Sequence, residues 1–330
     1  MYHSKIAGLG GYVPENVVTN FALEKMMNTS NEWIIERTGI HERRFVTQPC
    51  GCAELALPAC HDAIRDAGIQ KENIDLIIVA TITPEHQAPG TSSFLQALLE
   101  LTLVPTLDIR VQCSGFIYGM SIADQFIKTG HYQNILLVGV EVQSAGLNLT
   151  TEGRDIAVLF GDGAGAAIIS RSDDDSEIIS THLFADGTHA KDLWVEVPIG
   201  YESPRISKEM LDEHRQYPYM NGRQVFKNAV IRFPEVVIAA LEANQWAKED
   251  IKLVIPHQAN MRITEAITKR LDLPLEKVYS NIHRYGNTTA ASIPLAMVDA
   301  RKEGKFGKGD KLILAAFGSG FTWASAAVIW

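Results

Sequence analysis

The sequence of 330 residues lacks a long apolar run. Runs such as 76–80 and 135–138 are far shorter than the roughly 20 residues that a membrane-spanning helix needs. The N-terminal residues 1–6 also lack the basic stretch followed by roughly 7 to 15 apolar residues that marks a secretory signal. We therefore expect a cytoplasmic protein with no membrane partner.

Cysteine is scarce, and positive charge does not predominate. The four cysteines, at positions 50, 52, 60 and 113, are scattered, and scattered cysteines in a reducing compartment are more often free thiols than disulfides. Neither they nor the ten histidines show the ligand spacing of a metal site. The formal net charge of -9 argues against nucleic-acid binding, because neutralising phosphates requires a basic face. We expect no disulfide, no metal and no nucleic-acid partner.

Short β-rich apolar runs alternate with Ala-rich stretches of helical spacing. The strand-like runs include 74–81, 106–111, 134–138, 164–170, 252–255 and 311–316. The helix-like stretches include 53–67, 92–101 and 235–244. This alternation predicts an α/β protein whose sheets are covered by helices.

Two segments of the chain resemble each other. Residues 63–78 align without a gap to residues 240–255, and both read as helix, turn, strand. A second match pairs Cys113 with Asn287, since each opens a run of small residues. We interpret this as a duplication, with an N-terminal half over 1–172 and a C-terminal half over 173–330. One large doubly wound sheet is the alternative.

The segment 196–223 interrupts this pattern, because it is rich in Pro, Tyr, Glu and Arg and has no clear periodicity. It is predicted to be a long inserted loop or cap at the surface. A variable insertion without a function would show the same composition and the same lack of periodicity.

Cys113 lies where a strand-like run meets the start of a helix of small residues. The N–H groups of a helix N-terminus lower the pKa of a thiol and can hold an oxyanion. His257 ends an apolar strand and Asn287 follows a glycine, so an imidazole and a carboxamide are available as donors to an enolate oxygen. Each of the three residues taken alone could be structural.

Two glycine-rich segments remain. Residues 161–166 lack both the dinucleotide-binding spacing and the Lys-Ser/Thr ending of a P-loop, so close packing between the two halves is the preferred explanation. Residues 317–323 could form a close turn or offer a backbone N–H group beside Cys113.

Four motifs occur in the order of a known family. They are Cys113-Ser114-Gly115-Phe116 and the segments 256–260, 285–292 and 317–323, and the segments 32–40 and 160–166 match as well. Over nearly its whole length the chain resembles the β-ketoacyl-acyl carrier protein synthase III family of condensing enzymes. The resemblance implies an α/β thiolase fold, in which two duplicated α/β halves form a five-layer αβαβα architecture, and a homodimer.

The same resemblance implies an acyltransferase of fatty acid biosynthesis that forms a carbon–carbon bond. Acyl-CoA loads Cys113, and malonyl-acyl carrier protein then loses carbon dioxide and attacks the acyl group to give a 3-ketoacyl product. His257 and Asn287 would be the decarboxylation pair, and the backbone N–H groups of Cys113 and Ser319 would hold the oxyanion. Coenzyme A enters as a thioester substrate, and no cofactor is implied.

Binding residues follow from the resemblance too. Those expected to bind coenzyme A are Trp33, Arg37, Arg154, Gly222 and Asn260. Those expected to dock the acidic carrier protein are Lys227, Arg262, Lys269 and Arg270, for which ordinary solvated surface is the alternative.

Some positions depart from the family pattern. Ser319 replaces the middle glycine of a Gly-Gly-Gly turn, so its oxyanion donor depends on whether serine tolerates the required backbone angles. Ala88 stands in the acyl pocket where acetyl-selective members often have a phenylalanine, and Arg110 and Gln112 are bulkier than the usual residues. We therefore expect a primer longer than acetyl.

Three other functions are compatible with the same residues. The acyl group could pass from Cys113 to a hydroxyl or amine, although retention of His257 and Asn287 argues against this. Two acyl-CoA molecules could be joined without decarboxylation, with Glu85 as the candidate base. A catalytically inactive partner subunit is the alternative from another class, but such a subunit would be expected to have lost one of the three reactive residues.

Overall fold

Two central sheets and the helices around them account for most of the chain, and the computed structural model describes residues 2–330. The strands are β1 (Ser4–Tyr12), β2 (Val17–Thr19), β3 (Glu42–Arg44), β4 (Leu76–Ala80), β5 (Thr106–Ile109), β6 (Asn134–Glu141), β7 (Gly163–Arg171), β8 (Glu177–Ala185), β9 (Leu193–Trp194), β10 (Tyr219–Met220), β11 (Ile251–Pro256), β12 (Lys311–Gly318) and β13 (Thr322–Ile329). The helices are α1 (Asn20–Leu23), α2 (Asn31–Thr38), α3 (Cys52–Ala67), α4 (Thr91–Leu98), α5 (Gly115–Lys128), α6 (Arg154–Ala157), α7 (Lys208–Asp212), α8 (Gly222–Ala243), α9 (Met261–Leu271), α10 (Ile282–Tyr285) and α11 (Ser292–Lys302).

The two large sheets share one strand order. The first is β1-β7-β6-β4-β5, in which β7 is antiparallel to its neighbours β1 and β6, and β4 is parallel to β6 and β5. The second is β8-β13-β12-β11, with β13 antiparallel to both neighbours and β11 parallel to β12. A parallel bridge from Val254 to Val278 occupies the place of the β4–β5 pairing. The sheets are therefore topologically equivalent.

The first internal sequence match is confirmed at the level of local structure. Residues 63–78 end α3, form a 3-10 turn at Lys71–Asn73 and enter β4. Residues 240–255 end α8, form a 3-10 turn at Lys248–Asp250 and enter β11. The matched segments occupy the same positions in the two sheets.

The second match was wrong by three residues. A 3-10 turn at Gln112–Ser114 precedes α5, and its counterpart at Thr289–Ala291 precedes α11. Gln112 and Thr289 share an unusual positive φ, of 44° and 49°. Cys113 therefore corresponds to Ala290, whereas Asn287 lies in the loop before the turn. Runs of small residues carry too little information to determine such a register.

The helices and sheets form five layers. Helices α5 and α11 lie between the sheets, because one apolar cluster combines them with residues of both. Helices α3 and α4 cover the outer face of the first sheet, and α8 and α9 cover that of the second. In β4, Ile78 faces the central layer and Ile77 the outer one, as the period of two in a strand requires. Burial on both faces explains why the strands read as continuous apolar runs.

The glycines of 161–165 pack the two halves together, which agrees with the preferred explanation of this segment. A Cβ atom at Gly161 would lie 2.4 Å from the carbonyl oxygen of Tyr285, and one at Gly165 would lie 2.6 Å from Pro294. Side chains at these positions would push the halves apart. The division at 172/173 falls between β7 and β8, and it stays a prediction that these halves are the natural domains.

The segment 196–223 is mostly loop, as predicted, but it also contains regular elements. The segment contains α7 and β10, and α8 already begins at Gly222. Val197, Ile199 and Met210 form a small buried cluster of their own. A few apolar residues thus anchor a segment whose composition suggested none. Within 2–330, no helix is long and apolar enough to cross a bilayer.

Candidate active site

The three predicted reactive residues line one cavity of about 480 Å³. Cys113 follows the end of β5, His257 directly follows β11, and Asn287 lies in the loop between α10 and α11. Strand ends of both halves therefore meet at this cavity, which is where ligands of open α/β sheets commonly bind. More than a hundred residues separate Cys113 from His257 and Asn287 in the sequence, and the fold brings the three groups together.

Cys113 lies where the two halves of the chain pack closely against each other. Its side chain is 8% exposed, and a Cβ atom at Gly318 would lie only 2.7 Å from the Cys113 Cβ atom. The backbone N–H groups of Cys113 and Ser319 face the thiol and act to lower its pKa. Ser319 is not among the residues with positive φ, so serine occupies this position without left-handed strain. Its hydroxyl donates to the carbonyl oxygen of Leu193.

The expected lowering of the Cys113 pKa was wrong for the free protein. This pKa is raised to about 12: burial is the main cause, the Glu141 carboxylate adds to the increase, and the two N–H groups offset only part of it. The helix N-terminus is visible in sequence, but the loss of water around the sulfur is not. In the free protein the thiol is protonated at neutral pH.

This protonation state predicts how Cys113 reacts with iodoacetamide. Since only the thiolate attacks and the folded pKa is raised, the alkylation rate should increase about tenfold per pH unit up to at least about pH 10. Mass spectrometry of the Cys113 peptide after timed alkylation measures the rate. A plateau at or below neutral pH would show a thiol of lowered pKa and contradict this prediction.

His257 is buried, with one ring nitrogen engaged and the other free. Its Nδ1 atom lies 2.6 Å from the Ser292 hydroxyl, and its backbone N–H donates to the carbonyl oxygen of Ala315. The Nε2 atom has no hydrogen-bond partner within the described chain. Burial lowers the pKa of His257 to about 3, so the imidazole is neutral at physiological pH. A neutral ring with one free nitrogen can exchange one hydrogen bond with a substrate.

Asn287 is held from both sides. Its backbone N–H donates to the carbonyl oxygen of Leu159, and its Oδ1 atom accepts the N–H of Thr289 at 2.9 Å. Because Oδ1 is engaged, the amide nitrogen Nδ2 is the group left to act as a donor. His257 and Asn287 therefore supply two neutral polar groups beside a buried thiol.

The residues expected to bind coenzyme A lie at the same cavity or next to it. Trp33, Arg37, Gly222 and Asn260 line it. The Trp33 ring has the guanidinium carbons of Arg37 and Arg154 at 4.7 and 4.8 Å from its centroid. Arg154 does not line the cavity itself but reaches the site through this contact. Asn260 caps α9 and donates from Nδ2 to the carbonyl oxygen of Arg37.

The carrier-protein candidates occupy one side of the molecule. Lys227 is exposed on α8, and Arg262, Lys269 and Arg270 are exposed on the neighbouring α9. Arg262 also lines the cavity.

Two other positions for which the sequence suggested a role, Ala88 and Glu85, do not line this cavity in a single copy of the chain. Ala88 is exposed and does not line it. The carboxylate of Glu85 accepts the N–H of Ala53 at the start of α3 and the hydroxyl of Thr91. Glu85 is therefore engaged in holding helices, which argues against its role as a base.

Sequence reasoning missed Glu141, the last residue of β6. It is fully buried, and its carboxylate accepts hydrogen bonds from the Thr83 hydroxyl at 2.7 Å and the Ile82 N–H at 3.2 Å. Burial raises the pKa of Glu141 to about 8. An acidic residue ending an otherwise apolar strand was the signal that could have revealed it.

Comparison with known proteins agrees with this geometry. The family model described as 3-oxoacyl-[acyl-carrier-protein (ACP)] synthase III matches residues 107–187, and the model of its C terminal region matches 241–330. A relative from Caldanaerobacter subterraneus subsp. tengcongensis named beta-ketoacyl-[acyl-carrier-protein] synthase III is 45% identical over 98% of this chain and 97% of its own. A relative of the same name from Clostridioides difficile is 45% identical over 98% of both chains.

The structural comparison extends this likeness to the fold. The crystal structure of 3-oxoacyl-[acyl-carrier-protein] synthase III from Aquifex aeolicus superposes with a TM-score of 0.91 and 42% identity, covering 99% of this chain and 100% of that one. The expected thiolase fold is thereby confirmed. On sequence, fold and the gathering of its motifs at one cavity, the chain belongs to the 3-oxoacyl-[acyl-carrier-protein] synthase III family.

Proposed function

We propose that this protein condenses an acyl group from acyl-CoA with malonyl-acyl carrier protein and releases a 3-ketoacyl product. The observation that carries the proposal is the single cavity lined by Cys113, His257 and Asn287. Such a set provides a nucleophile for a thioester and two neutral groups beside it. The names of the relatives, which are ketoacyl synthases of this kind, support the same reaction.

The first half-reaction loads the enzyme. The Cys113 thiol loses its proton as the sulfur attacks the thioester carbonyl, and the N–H groups of Cys113 and Ser319 bind the resulting oxyanion. The carbon–sulfur bond to coenzyme A then breaks, and coenzyme A departs as the thiol with the released proton. Because both N–H groups already face the sulfur, they need no rearrangement to stabilise this charge.

The second half-reaction forms the carbon–carbon bond. His257 Nε2–H and Asn287 Nδ2–H donate to the thioester oxygen of the malonyl group as its carboxylate leaves as carbon dioxide. The enolate carbon attacks the acyl group on Cys113, and the cysteine leaves as a thiolate that regains a proton. A neutral His257 suits this role, since burial keeps its pKa near 3 and the ring cannot protonate the enolate carbon as a cation would.

The nucleotide of coenzyme A would bind at Trp33. Its ring, with Arg37 and Arg154 close by, offers a surface for the adenine and two guanidinium groups for the phosphates. Gly222 and Asn260, which line the cavity, would flank the pantetheine arm. The alternative for the two arginines is a purely structural stack on the tryptophan.

Trp33→Ala tests this binding site. We expect KM for acyl-CoA in the loading step to rise about 5- to 30-fold with little change in kcat, because contacts to the nucleotide are remote from the reacting carbon. The defect should vanish for acyl-pantetheine, which lacks the nucleotide. Trp246→Ala is the matched control, since Trp246 lies near Lys311 and outside the cavity lining. An equal defect with both substrates would contradict the assignment.

Two protein partners belong to the proposal. The acidic carrier protein would dock at Lys227, Arg262, Lys269 and Arg270, supported by their exposure on neighbouring helices and by Arg262 at the cavity. A second copy of the chain would pair through β5, whose outer edge is unpaired at the margin of the first sheet. Ala88 would then face the partner copy. The cytoplasmic location stays a prediction.

A primer longer than acetyl remains part of the proposal, supported by the small side chain of Ala88. Transfer of the acyl group to a hydroxyl or amine is the second candidate, but no observation favours it over condensation. The engaged carboxylate of Glu85 removes the base that joining two acyl-CoA molecules would need. Beyond the coenzyme A thioester, no cofactor enters the proposed steps.

Intact-protein mass spectrometry tests the whole proposal. The protein is mixed with acyl-CoA substrates from acetyl to medium chain and then with malonyl-acyl carrier protein. We expect stable acylation, strongest above acetyl, that is discharged with formation of a ketoacyl-carrier protein. Acylation without ketoacyl product would indicate another acceptor, and no acylation with any chain would reject the nucleophile.

A further inference from the structure

Thr289 is linked to both members of the proposed decarboxylation pair, to Asn287 directly and to His257 through Ser292. Its N–H donates to Asn287 Oδ1 at 2.9 Å, and its carbonyl oxygen lies 2.9 Å from the Ser292 hydroxyl. That hydroxyl lies 2.6 Å from His257 Nδ1. On the other side, Gln143 Nε2 donates to the Thr289 hydroxyl at 2.7 Å. Gln143, Thr289 and Ser292, here called the hydroxyl chain, are all less than 7% exposed.

The backbone conformation of Thr289 suits this contact. Its φ of 49° is left-handed, a conformation that β-branched residues rarely adopt. This conformation turns the Thr289 N–H back onto the side chain of Asn287 two residues earlier. The bond from Gln143, a residue of the other half, holds the Thr289 side chain in place. Asn287 Nδ2 is thereby kept free for the cavity.

Ser292 controls the ring of His257. The Thr289 carbonyl oxygen already accepts the backbone N–H of Ser292, and the Gln258 N–H faces the Ser292 oxygen at 3.4 Å as a donor. The Ser292 hydroxyl has two acceptors within reach, the Thr289 carbonyl oxygen at 2.9 Å and His257 Nδ1 at 2.6 Å. Because that carbonyl already accepts an N–H group, the hydroxyl hydrogen is assigned to the shorter contact, with Nδ1. A ring that accepts at Nδ1 carries its proton on Nε2, the nitrogen without a partner.

We infer that the hydroxyl chain positions His257 and Asn287 as a pair of donors, with Ser292 selecting the Nε2–H form of His257. Gln143, Thr289 and Ser292 are positioning residues that act through the pair and do not touch the substrate. The inference rests on the proposed function, because it assigns the chain to the condensation step. Loading of Cys113, which uses backbone N–H groups, depends on it far less.

Ser292→Ala is the main test, because it removes one oxygen atom from the chain. We expect condensation with malonyl-acyl carrier protein to fall about 10- to 100-fold, while loading from acyl-CoA changes less than about threefold. Gln143→Met, which removes the more distant donor, should reduce condensation about 3- to 10-fold with loading again retained. Ser325→Ala is the matched control, since Ser325 is equally buried and bonds to Val236 far along the chain.

A second measurement does not depend on catalysis. Two-bond 1H–15N spectra of protein labelled at histidine report which ring nitrogen of His257 carries the proton. We expect the Nε2–H form in the wild type and a shift toward Nδ1–H in Ser292→Ala. Assignment comes from the loss of one signal in His257→Gln.

Three results would overturn the inference. They are a wild-type His257 in the Nδ1–H form, loading and condensation that fall together in both variants, and a Ser325→Ala defect as large as that of Ser292→Ala. Failure of the proposed function has a different signature, namely a wild type that forms no ketoacyl product. The His257 spectra still decide the positioning role in that case.

Discussion

Replacing Cys113 with alanine is expected to abolish acylation of the protein and to lower formation of the ketoacyl product by at least about 1,000-fold. The reason is that no other thiol reaches the cavity: of the four cysteines, only Cys113 lines it. His257 and Asn287 remain in place in this variant. Slow release of carbon dioxide from malonyl-acyl carrier protein should therefore persist while condensation stops.

Cys60→Ala is the control for this experiment. Cys60 is completely buried in α3 and belongs to the outer apolar cluster. Its truncation should lower the free energy of unfolding by about 1–2 kcal/mol and leave both half-reactions intact. Intact-protein mass spectrometry measures acylation, a product assay measures the ketoacyl product, and thermal unfolding measures stability. Acylation of Cys113→Ala to the level of the wild type would reject Cys113 as the nucleophile.

Asn287→Asp should separate the two half-reactions most sharply. The carboxylate oxygen can still accept the N–H of Thr289, so the loop keeps its shape, but the Nδ2 donor is lost. An ionised carboxylate there would also oppose the charge of the enolate. We expect condensation to fall about 100- to 1,000-fold, with loading of Cys113 within about threefold of the wild type.

Asn244→Asp provides the matched change away from the site. Asn244 caps the end of α8 and donates from Nδ2 to the Ser180 hydroxyl at 2.7 Å, so it also loses an amide donor. Single-turnover loading and condensation rates should be near those of the wild type. If Asn287→Asp slows loading and condensation equally, Asn287 is structural and the decarboxylation pair is incorrect.

Much of the fold was predictable because its signals are local. Apolar runs such as 134–138 identify strands buried on both faces, and the extent of these strands in the structure differs by only a few residues. The ends were less predictable: β5 stops at Ile109 rather than 111, and α4 stops at Leu98 rather than 101. Element ends depend on hydrogen bonds and packing from elsewhere in the chain, which local patterns do not report.

The candidate site shows the same division between local and distant information. The motifs identified Cys113, His257 and Asn287, because their chemistry and their positions next to strand ends are visible in sequence. The hydrogen bonds that link Thr289 and Ser292 to Asn287 and His257 were not visible, although both residues lie within a motif. A serine or threonine hydroxyl has no recognisable role until its partners are known.

The sequence by itself determined the order of strands and helices, the duplicated segment and the choice of candidate reactive groups, since each depends on neighbouring residues. Only the tertiary structure decided which groups share a cavity, how the second half aligns with the first around Cys113, and in which direction the pKa of that thiol moves. The physical reason is that burial and hydrogen bonding add up contributions from residues far apart in the chain. For Cys113, burial raises the pKa of the thiol more than the nearby N–H groups lower it, although its position at a helix start had suggested a lowered pKa.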